Sequence, residues 1–271
     1  MIKATEISKV FRTEEIETTA LDKVSFEINE GEFVAIMGPS GCGKSTLLNI
    51  LGLLDSPTDG SYMFLGQEAG RLKEKDRTRL RKGNIGFIFQ NFNLIDELDV
   101  YDNVELPLRY QNVSASERRQ KVNDILKRMN ISHRAKHFPQ QLSGGQQQRV
   151  AIARMLMQNA PILIFDDSMS AVDTETDASI RAALKHRRES TTTFIISHRI
   201  TTLCEADKIL VLEHGKLVEQ GTHEELIAKP GLYRRIARIQ NALEEELKQE
   251  GGGRTGYNTK CNTAKKEGQR E

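Results

Sequence analysis

The chain has 271 residues, of which 38% are hydrophobic and 28% charged, and its formal net charge is +1 at pH 7. This length can bury a full core as one domain with a subdomain. A nearly neutral chain is not expected to coat a polyanion, so no nucleic-acid partner is predicted. No apolar run approaches the ~18 residues of a membrane helix, and the start, MIKATEISKVFR, lacks the apolar core of a secretion signal. A cytosolic location is therefore expected.

The first half of the chain combines strand and helix patterns. Five strands are predicted, at ISKVFR, LDKVSFEIN, GEFVAIMG, GSYMFLGQ and IGFIFQ. Between the third and fourth, KSTLLNILGLL has helical apolar spacing. From Asn103 to Asn130 the pattern becomes helical and charged, and an amphipathic helix is expected to be capped by Ser114 or Ser116 together with Glu117.

The second half predicts more strands and a tail. Two apolar strands, PILIFD and TTFIISH, flank a predicted helix at 174–186, and KILVLEHGKLVEQG predicts a hairpin that turns at His214-Gly215. Strands that alternate with helices imply a parallel sheet. Residues 246–271 are polar and patternless, most clearly from Gly251, so a disordered tail is predicted there.

A phosphate-binding loop is predicted at GPSGCGKST, which lies between a predicted strand and a predicted helix and matches G-x-x-x-x-G-K-[ST]. Glycines let backbone N–H groups converge on phosphates, and the helix N-terminus adds partial positive charge. Lys44 is expected to reach the β- and γ-phosphates, and the Ser45 hydroxyl to ligate Mg²⁺. The predicted nucleotide-binding residues are Gly38, Pro39, Ser40, Gly41, Cys42, Gly43, Lys44, Ser45 and Thr46.

Cys42 lies inside this loop, beside Lys44 and the start of the helix. Positive charge at both neighbours is expected to lower the pKa of the thiol and make it reactive. The alternative is that Cys42 is a small filler residue without a role in the mechanism.

A second phosphate-binding turn is predicted at LSGGQQQR, which places Ser143, Gly144 and Gly145 directly before the helical pattern QQQRVAIARMLMQN. The start of this helix is a second place where free backbone N–H groups could bind an anion. Since one nucleotide needs only one such loop, the economical explanation is that the second turn, with Gln146, serves the nucleotide of another copy.

These two motifs together resemble those of ATP-binding cassette (ABC) transporter ATPases, for which LSGGQ is the signature, and the resemblance covers about residues 2–245. It implies a phosphate-loop α/β fold with an antiparallel β subdomain and a helical signature subdomain at about 93–150, within an ATPase domain of residues 1–245. It also implies ATP and Mg²⁺ as ligands, and a separate integral membrane transporter subunit that holds the chain on the inner face of the cell membrane.

The resemblance implies roles for four further residues. Phe11, in KVFR, corresponds to the aromatic that stacks on adenine, the alternative being a core residue of its strand. Gln90, which ends IGFIFQ, corresponds to the glutamine that contacts Mg²⁺ and the attacking water. Asp166 is implied to hold Mg²⁺ through water. His198, in IISHR, corresponds to the switch histidine that contacts the γ-phosphate, although a histidine at a strand end is commonly structural.

Asp167 directly follows Asp166 in PILIFDDSMSAVD, where most members of the family have the glutamate that polarises the attacking water. Asp is shorter by one methylene, about 1.5 Å, and a misplacement near 1 Å can cost about 100-fold in rate. The alternative is that Asp167 caps the following turn. SAVD, residues 170–173, resembles the loop that crosses the family's dimer interface.

The resemblance changes in style near Met155. Upstream, GPSGCGKSTLLNILGLLD and PQQLSGGQQQRVAIAR are similar to stand-alone ATPases of lipoprotein-release, macrolide-efflux and antimicrobial-peptide-resistance systems. Downstream, TTTFIISHRITTLCEADKILVLEHGKLVEQGTHEEL is similar to the nucleotide-binding domains of exporters that carry their membrane helices in the same chain. The sequence is thus either an unusual natural subunit or a recombined one.

The function implied is ATP hydrolysis that powers export or efflux through the membrane subunit, with two chains sandwiching two ATP molecules as a homodimer. If Asp167 marks a weakened site, the dimer is instead heteromeric. The alternatives are a regulatory ABC protein that closes on ATP with little hydrolysis, and a non-transport ABC ATPase of DNA repair or translation.

Overall fold

The computed structural model describes residues 1–13, 16–166 and 191–240. Its strands are β1 (Ile2–Arg12), β2 (Glu17–Ile28), β3 (Phe33–Met37), β4 (Asp59–Phe64), β5 (Gln67–Glu68), β6 (Ile85–Ile88), β7 (Ile162–Phe165), β8 (Thr192–Ile196), β9 (Lys208–Glu213) and β10 (Lys216–Gly221). Its helices are α1 (Lys44–Leu51), α2 (Glu74–Arg81), α3 (Val100–Tyr110), α4 (Ala115–Arg128), α5 (Gly144–Leu156), α6 (Ile200–Cys204) and α7 (His223–Ala228). Residues 232–240 are also helical, and short 3₁₀ turns lie at Ser132–Arg134 and Pro139–Gln141.

Several predictions from the sequence fall outside the described residues. These are the roles of Asp167 and of the loop at 170–173, the helix at 174–186, and the tail at 246–271.

A six-stranded sheet forms the centre of the fold, in the order β10-β9-β3-β8-β7-β6. The five strands from β9 to β6 are parallel, and only β10 is antiparallel to its neighbour. The central strand β3 is buried on both faces, as expected for a parallel strand covered by helices. Its side chains divide between two cores, Ala35 and Met37 on one face and Val34 and Ile36 on the other. The predicted parallel sheet is confirmed.

A second, four-stranded sheet in the order β2-β1-β4-β5 is antiparallel throughout. It shares a core with one face of the central sheet and with α1, whose buried side chains are Leu47, Leu48, Ile50 and Leu51. This arrangement holds α1, and so the phosphate loop before it, between the two sheets. The predicted antiparallel subdomain is confirmed.

The helical part of the fold covers the other face of the central sheet, where α3, α4 and α5 pack together. In α4 the buried residues Val122, Ile125 and Leu126 follow helical spacing, and their stripe faces the core. The predicted helical subdomain, about residues 93–150, contains α3, α4 and the first half of α5. Its limits, like those of the ATPase domain at 1–245, remain predictions.

Local signals in the sequence explain several boundaries. Ser114 is the N-cap of α4, since its Oγ accepts a hydrogen bond from the backbone N of Glu117, which decides between the two serines. The hairpin turns at His214-Gly215, both with positive φ, as a two-residue turn requires. The first helix of the helical region begins at Val100, earlier than predicted, because the Asp99 side chain accepts a hydrogen bond from the backbone N of Asp102.

Within the described ranges, no helix is long and apolar enough to cross a membrane.

Candidate nucleotide site

The site is built where four parallel strands end side by side. β3 runs into Gly38, β8 into His198, β7 into Asp166 and β6 into Gln90. The sheet register aligns these ends, since Ile36 lies opposite Ile196, Phe165 opposite Ile195, and Ile88 opposite Phe165. Because the strands are parallel, their carboxyl ends share one edge of the sheet, where ligands of open α/β sheets bind.

The phosphate loop has a backbone that only glycine adopts without strain. Gly38, Gly41 and Gly43 all have positive φ, at 150°, 76° and 101°. A Cβ on Gly38 would lie 2.1 Å from the carbonyl oxygen of Leu212, so the loop is also pressed against the end of β9. The helix α1 begins directly at Lys44, with Gly43 as its N-cap. The loop therefore has the conformation and position of a phosphate cradle.

Two side chains of this loop form specific contacts. The Lys44 ammonium donates to the carbonyl oxygens of Gly38 and Pro39, at 2.9 and 2.8 Å. The Ser45 Oγ donates to Oδ1 of Asp166 at 2.9 Å. Asp166 is buried at 9% exposure, whereas Ser45 is exposed. The predicted hydroxyl and first aspartate are thus brought together, while the predicted lysine contacts its own loop.

The prediction for Cys42 is wrong in its direction. The side chain is 4% exposed, and burial raises the pKa of its thiol above the ordinary value. Lys44 opposes the shift, with its ammonium 3.9 Å from the sulfur, but burial is the larger cause. The sequence shows that Lys44 is close to Cys42 but does not show that the Cys42 side chain is buried. The direction of the pKa shift was therefore predicted wrongly from the motif alone.

Gln90 and His198 are both exposed at the ends of their strands. Gln90 lies in a turn closed by a hydrogen bond from the backbone N of Phe92 to the carbonyl of Phe89, at 2.9 Å. His198 follows β8 by two residues, and the backbone N of Ser197 continues the ladder to Ile36. Both residues therefore follow strands whose carboxyl ends share the edge where the phosphate loop lies.

The signature turn opens α5 with exposed Ser143 and Gly144. Ser143 and Gln146 form a capping box, in which the Ser143 Oγ accepts from the backbone N of Gln146 and the Gln146 side chain accepts from the backbone N of Ser143. Gly144 leaves open space around its Cα, since an added Cβ would meet nothing within 4 Å. The structure thus presents the predicted helix N-terminus to solvent.

Phe11 is 46% exposed near the end of β1, which excludes the alternative of a core residue. The Lys9 ammonium lies 5.2 Å from the centroid of its ring and is itself held by Asp55 and by the carbonyl of Ser56. Lys9 was not identified from the sequence. Because residues two apart in a strand lie on the same face of the sheet, the sequence could have predicted that Lys9 neighbours Phe11. It could not have predicted that the ammonium lies over the ring.

Mg²⁺ fits the chemistry of the residues present. Ser45 and Asp166 offer a hydroxyl and a carboxylate oxygen 2.9 Å apart, and oxygen ligands are those that Mg²⁺ prefers. Over residues 1–13, 16–166 and 191–240, no group of three or more His, Cys, Asp or Glu side chains could hold a metal. Nucleotide-bound Mg²⁺ does not require one, since it takes one or two protein oxygens plus phosphates and water.

Comparison with known proteins identifies a family and several relatives of this chain. The family described as "ABC transporter" matches residues 21–170. The ATP-binding cassette MJ0796 of Methanocaldococcus jannaschii, solved as a dimer bound to ADP and Pi, is 40% identical with a TM-score of 0.78, over 82% of this chain and 98% of that chain.

Two longer proteins are also similar. The macrolide export ATP-binding/permease protein MacB of Hahella chejuensis is 38% identical over 219 residues, which are 80% of this chain and 34% of that protein. A bacterial Atm1-family ABC exporter, solved with ATP bound, is 31% identical with a TM-score of 0.76, over 89% of this chain and 42% of that chain. This chain therefore spans about a third of the macrolide exporter's length.

Proposed function

The chain belongs to the ABC transporter family, and from that premise we propose that it binds and hydrolyses ATP to power export through a separate membrane subunit. The observation that carries the proposal is the convergence of the phosphate loop, Asp166, Gln90 and His198 at the carboxyl edge of one parallel sheet. Export is proposed because a macrolide export protein and an Atm1-family exporter are among its relatives.

The proposed roles in binding follow from the contacts. Residues 38–46 cradle the phosphates through backbone N–H groups, and Lys44 exchanges its contacts with the loop carbonyls for the β- and γ-phosphates. Phe11 stacks on adenine with the exposed part of its ring, and Lys9 holds that ring in place by a cation–π contact. Ser45 and Asp166 hold Mg²⁺, which would neutralise negative charge on the phosphates.

The proposed roles in hydrolysis belong to Gln90, His198 and Asp167. Gln90 orients the attacking water beside Mg²⁺, and His198 contacts the γ-phosphate. Asp167, which directly follows Asp166 in the chain, is proposed as a general base that is one methylene short. The proposal for Asp167 rests on the sequence.

A second copy of the ATPase completes each site in this proposal. The exposed N-terminus of α5, formed by Ser143, Gly144, Gly145 and Gln146, faces the γ-phosphate of the nucleotide bound to the partner. The dimeric ADP-bound and Pi-bound structure of MJ0796 supports this arrangement. The ATPase domain is proposed to span residues 1–245, with the helical subdomain at about 93–150, and to lie on the cytoplasmic face of the membrane.

The test is steady-state ATP hydrolysis by the purified chain, with the Lys44→Ala variant as the inactive control. We expect measurable turnover in Mg-ATP for the parent, and no binding of micromolar fluorescent nucleotide to Lys44→Ala, because the β,γ-phosphates lose their ammonium. Binding of ATP without turnover by the parent would point to the regulatory alternative. Unchanged nucleotide affinity in Lys44→Ala would remove the phosphate-loop assignment.

A further inference from the structure

Arg154, in the last turn of α5, contacts the loop that carries Gln90. Its Nη1 donates to the carbonyl oxygen of Asn93 and its Nη2 to that of Phe92, both at 2.8 Å. A planar guanidinium can hold two adjacent carbonyls at once, because its donors lie in a fixed fork. Gln90 is two residues before the first of these carbonyls.

The backbone that Arg154 holds is an unusual one. Phe92 and Asn93 have φ of 61° and 44°, so two consecutive residues that are not glycine lie in the left-handed region. This conformation is unfavourable for a phenylalanine in particular, and it persists only where the surroundings determine it. The two hydrogen bonds from Arg154, together with the packing of Phe92 against the core, hold that conformation. Gln90 lies inside the adjoining backbone turn, which the bond from Phe92 N to the Phe89 carbonyl closes.

The far end of the same loop is fixed independently. The buried side chain of Asn103 donates to the carbonyls of Ile95, Leu98 and Asp99, and accepts from the backbone N of Ile95. Arg154 therefore holds the part of the loop nearest to Gln90 by hydrogen bonds, while Asn103 holds the part nearest to α3.

Arg154 also belongs to the helix that begins with the signature turn. Eight residues separate it from Gln146, which at 1.5 Å per residue is about 12 Å along α5. Arg154 and the signature turn therefore lie on one continuous helix.

We infer that Arg154 is a positioning residue for Gln90, the proposed water-orienting glutamine. The inference rests on the proposed ATPase function. It adds Arg154 as a residue that affects hydrolysis only through the position of Gln90. Burial lowers the pKa of the Arg154 guanidinium, but its ordinary value is so far above neutrality that the group remains charged.

The test compares Arg154→Gln, Arg154→Lys and a matched control, Arg118→Gln. Arg118 also donates to a backbone carbonyl, that of Val113, and to a buried carboxylate, that of Glu105, but these two contacts lie in α3 and in the turn between α3 and α4. We expect Arg154→Gln to lower kcat by about ten- to a hundred-fold, since a small misplacement of a reacting group has effects of that size. The KM for ATP should stay within about twofold, because the phosphate loop is untouched. Arg154→Lys should recover part of kcat, and Arg118→Gln should leave it unchanged.

A double-mutant comparison separates positioning from a general loss of stability. In a Gln90→Ala background, Arg154→Gln should lower kcat by less than about twofold, because the group through which it acts is gone. A full additional loss in that background would overturn the inference, as would equal kcat in Arg154→Gln and Arg118→Gln, or a Gln90→Ala variant as fast as the parent. If the parent itself shows no turnover, the proposed function fails first.

Amide hydrogen exchange provides a second readout that needs no turnover. In Arg154→Lys, residues 89–94 should exchange faster than in the parent, while residues 95–103 should not change, since Asn103 holds them. If Arg154→Gln does not fold, the lysine variant decides by kinetics and by exchange. Unchanged exchange at 89–94 in Arg154→Lys would contradict the role given to the guanidinium.

Discussion

Ser45 donates a hydrogen bond from its Oγ to Oδ1 of Asp166 at 2.9 Å, although 121 residues separate the two in the chain. One stands at the start of α1 and the other at the end of β7, so this contact joins the phosphate loop to the strand-end carboxylate. Mg²⁺ bound between them would take both oxygens as ligands, directly or through water.

Removing the Ser45 hydroxyl should therefore weaken the binding of Mg²⁺ more than the binding of ATP. We expect Ser45→Ala to raise the Mg²⁺ concentration that gives half-maximal ATPase rate by about tenfold, equivalent to ~1.4 kcal/mol. Ser45→Thr keeps the hydroxyl and serves as the control. Titration of the rate with Mg²⁺ at fixed ATP gives the answer, and an unchanged Mg²⁺ requirement in Ser45→Ala would exclude this ligand.

Cys42 should react slowly at neutral pH, because burial raises the pKa of its thiol and only the thiolate is a nucleophile. The rate of alkylation should rise with pH, and that rise should lie at higher pH than for a small free thiol. Modification should block nucleotide binding, and Mg-ATP should protect the thiol. Mass spectrometry of the Cys42 peptide measures both, and Cys42→Ser should keep its nucleotide affinity. Equal labelling with and without ATP would contradict the placement of the thiol in the site.

ATP that is bound and not hydrolysed should drive two copies together, since each site is completed by the partner's signature turn. We expect His198→Ala with Mg-ATP to elute as a dimer in size-exclusion chromatography and to remain a monomer without nucleotide. Gly145→Asp should prevent the dimer, because a carboxylate at that N-terminus repels the γ-phosphate. A dimer that forms equally well without ATP would argue against the sandwich.

Restoring the missing methylene at position 167 should speed hydrolysis. If Asp167 is a general base that falls short, Asp167→Glu should raise the ATPase rate by about ten- to a hundred-fold, up to ~2.7 kcal/mol of barrier, with little change in nucleotide affinity. Asp167→Asn should lower the residual rate, because an amide cannot accept the proton of the water. If Asp167 only caps a turn, Asn should be nearly silent, since it caps as well as Asp. Steady-state rates at saturating Mg-ATP separate the two, and a Glu variant no faster than the parent would sink the short-base hypothesis.

Much of this fold was predictable because its signals are local. The N-cap at Ser114 and the turn at His214-Gly215 depend only on residues close by in the chain, so both could be predicted from the sequence. The helix α2 was missed because Glu74–Arg81 has no buried residue and hence no apolar period. Arg154 was missed for another reason: nothing in its local pattern specifies a contact with carbonyls 61 and 62 residues away.

The central position of β3 has a consequence for the order in which the protein is made. The strand that precedes the phosphate loop pairs with β8 and β9 and with no strand before them, so its partners arrive more than 150 residues later. At translation rates of roughly 5–20 residues per second, the ribosome needs on the order of ten to thirty seconds to supply them. During that interval the complete GPSGCGKST sequence is already present, but its sheet is not. A nascent chain that ends before β8 should therefore carry an intact motif and fail to retain ATP, so that nucleotide capture reports the completion of the sheet.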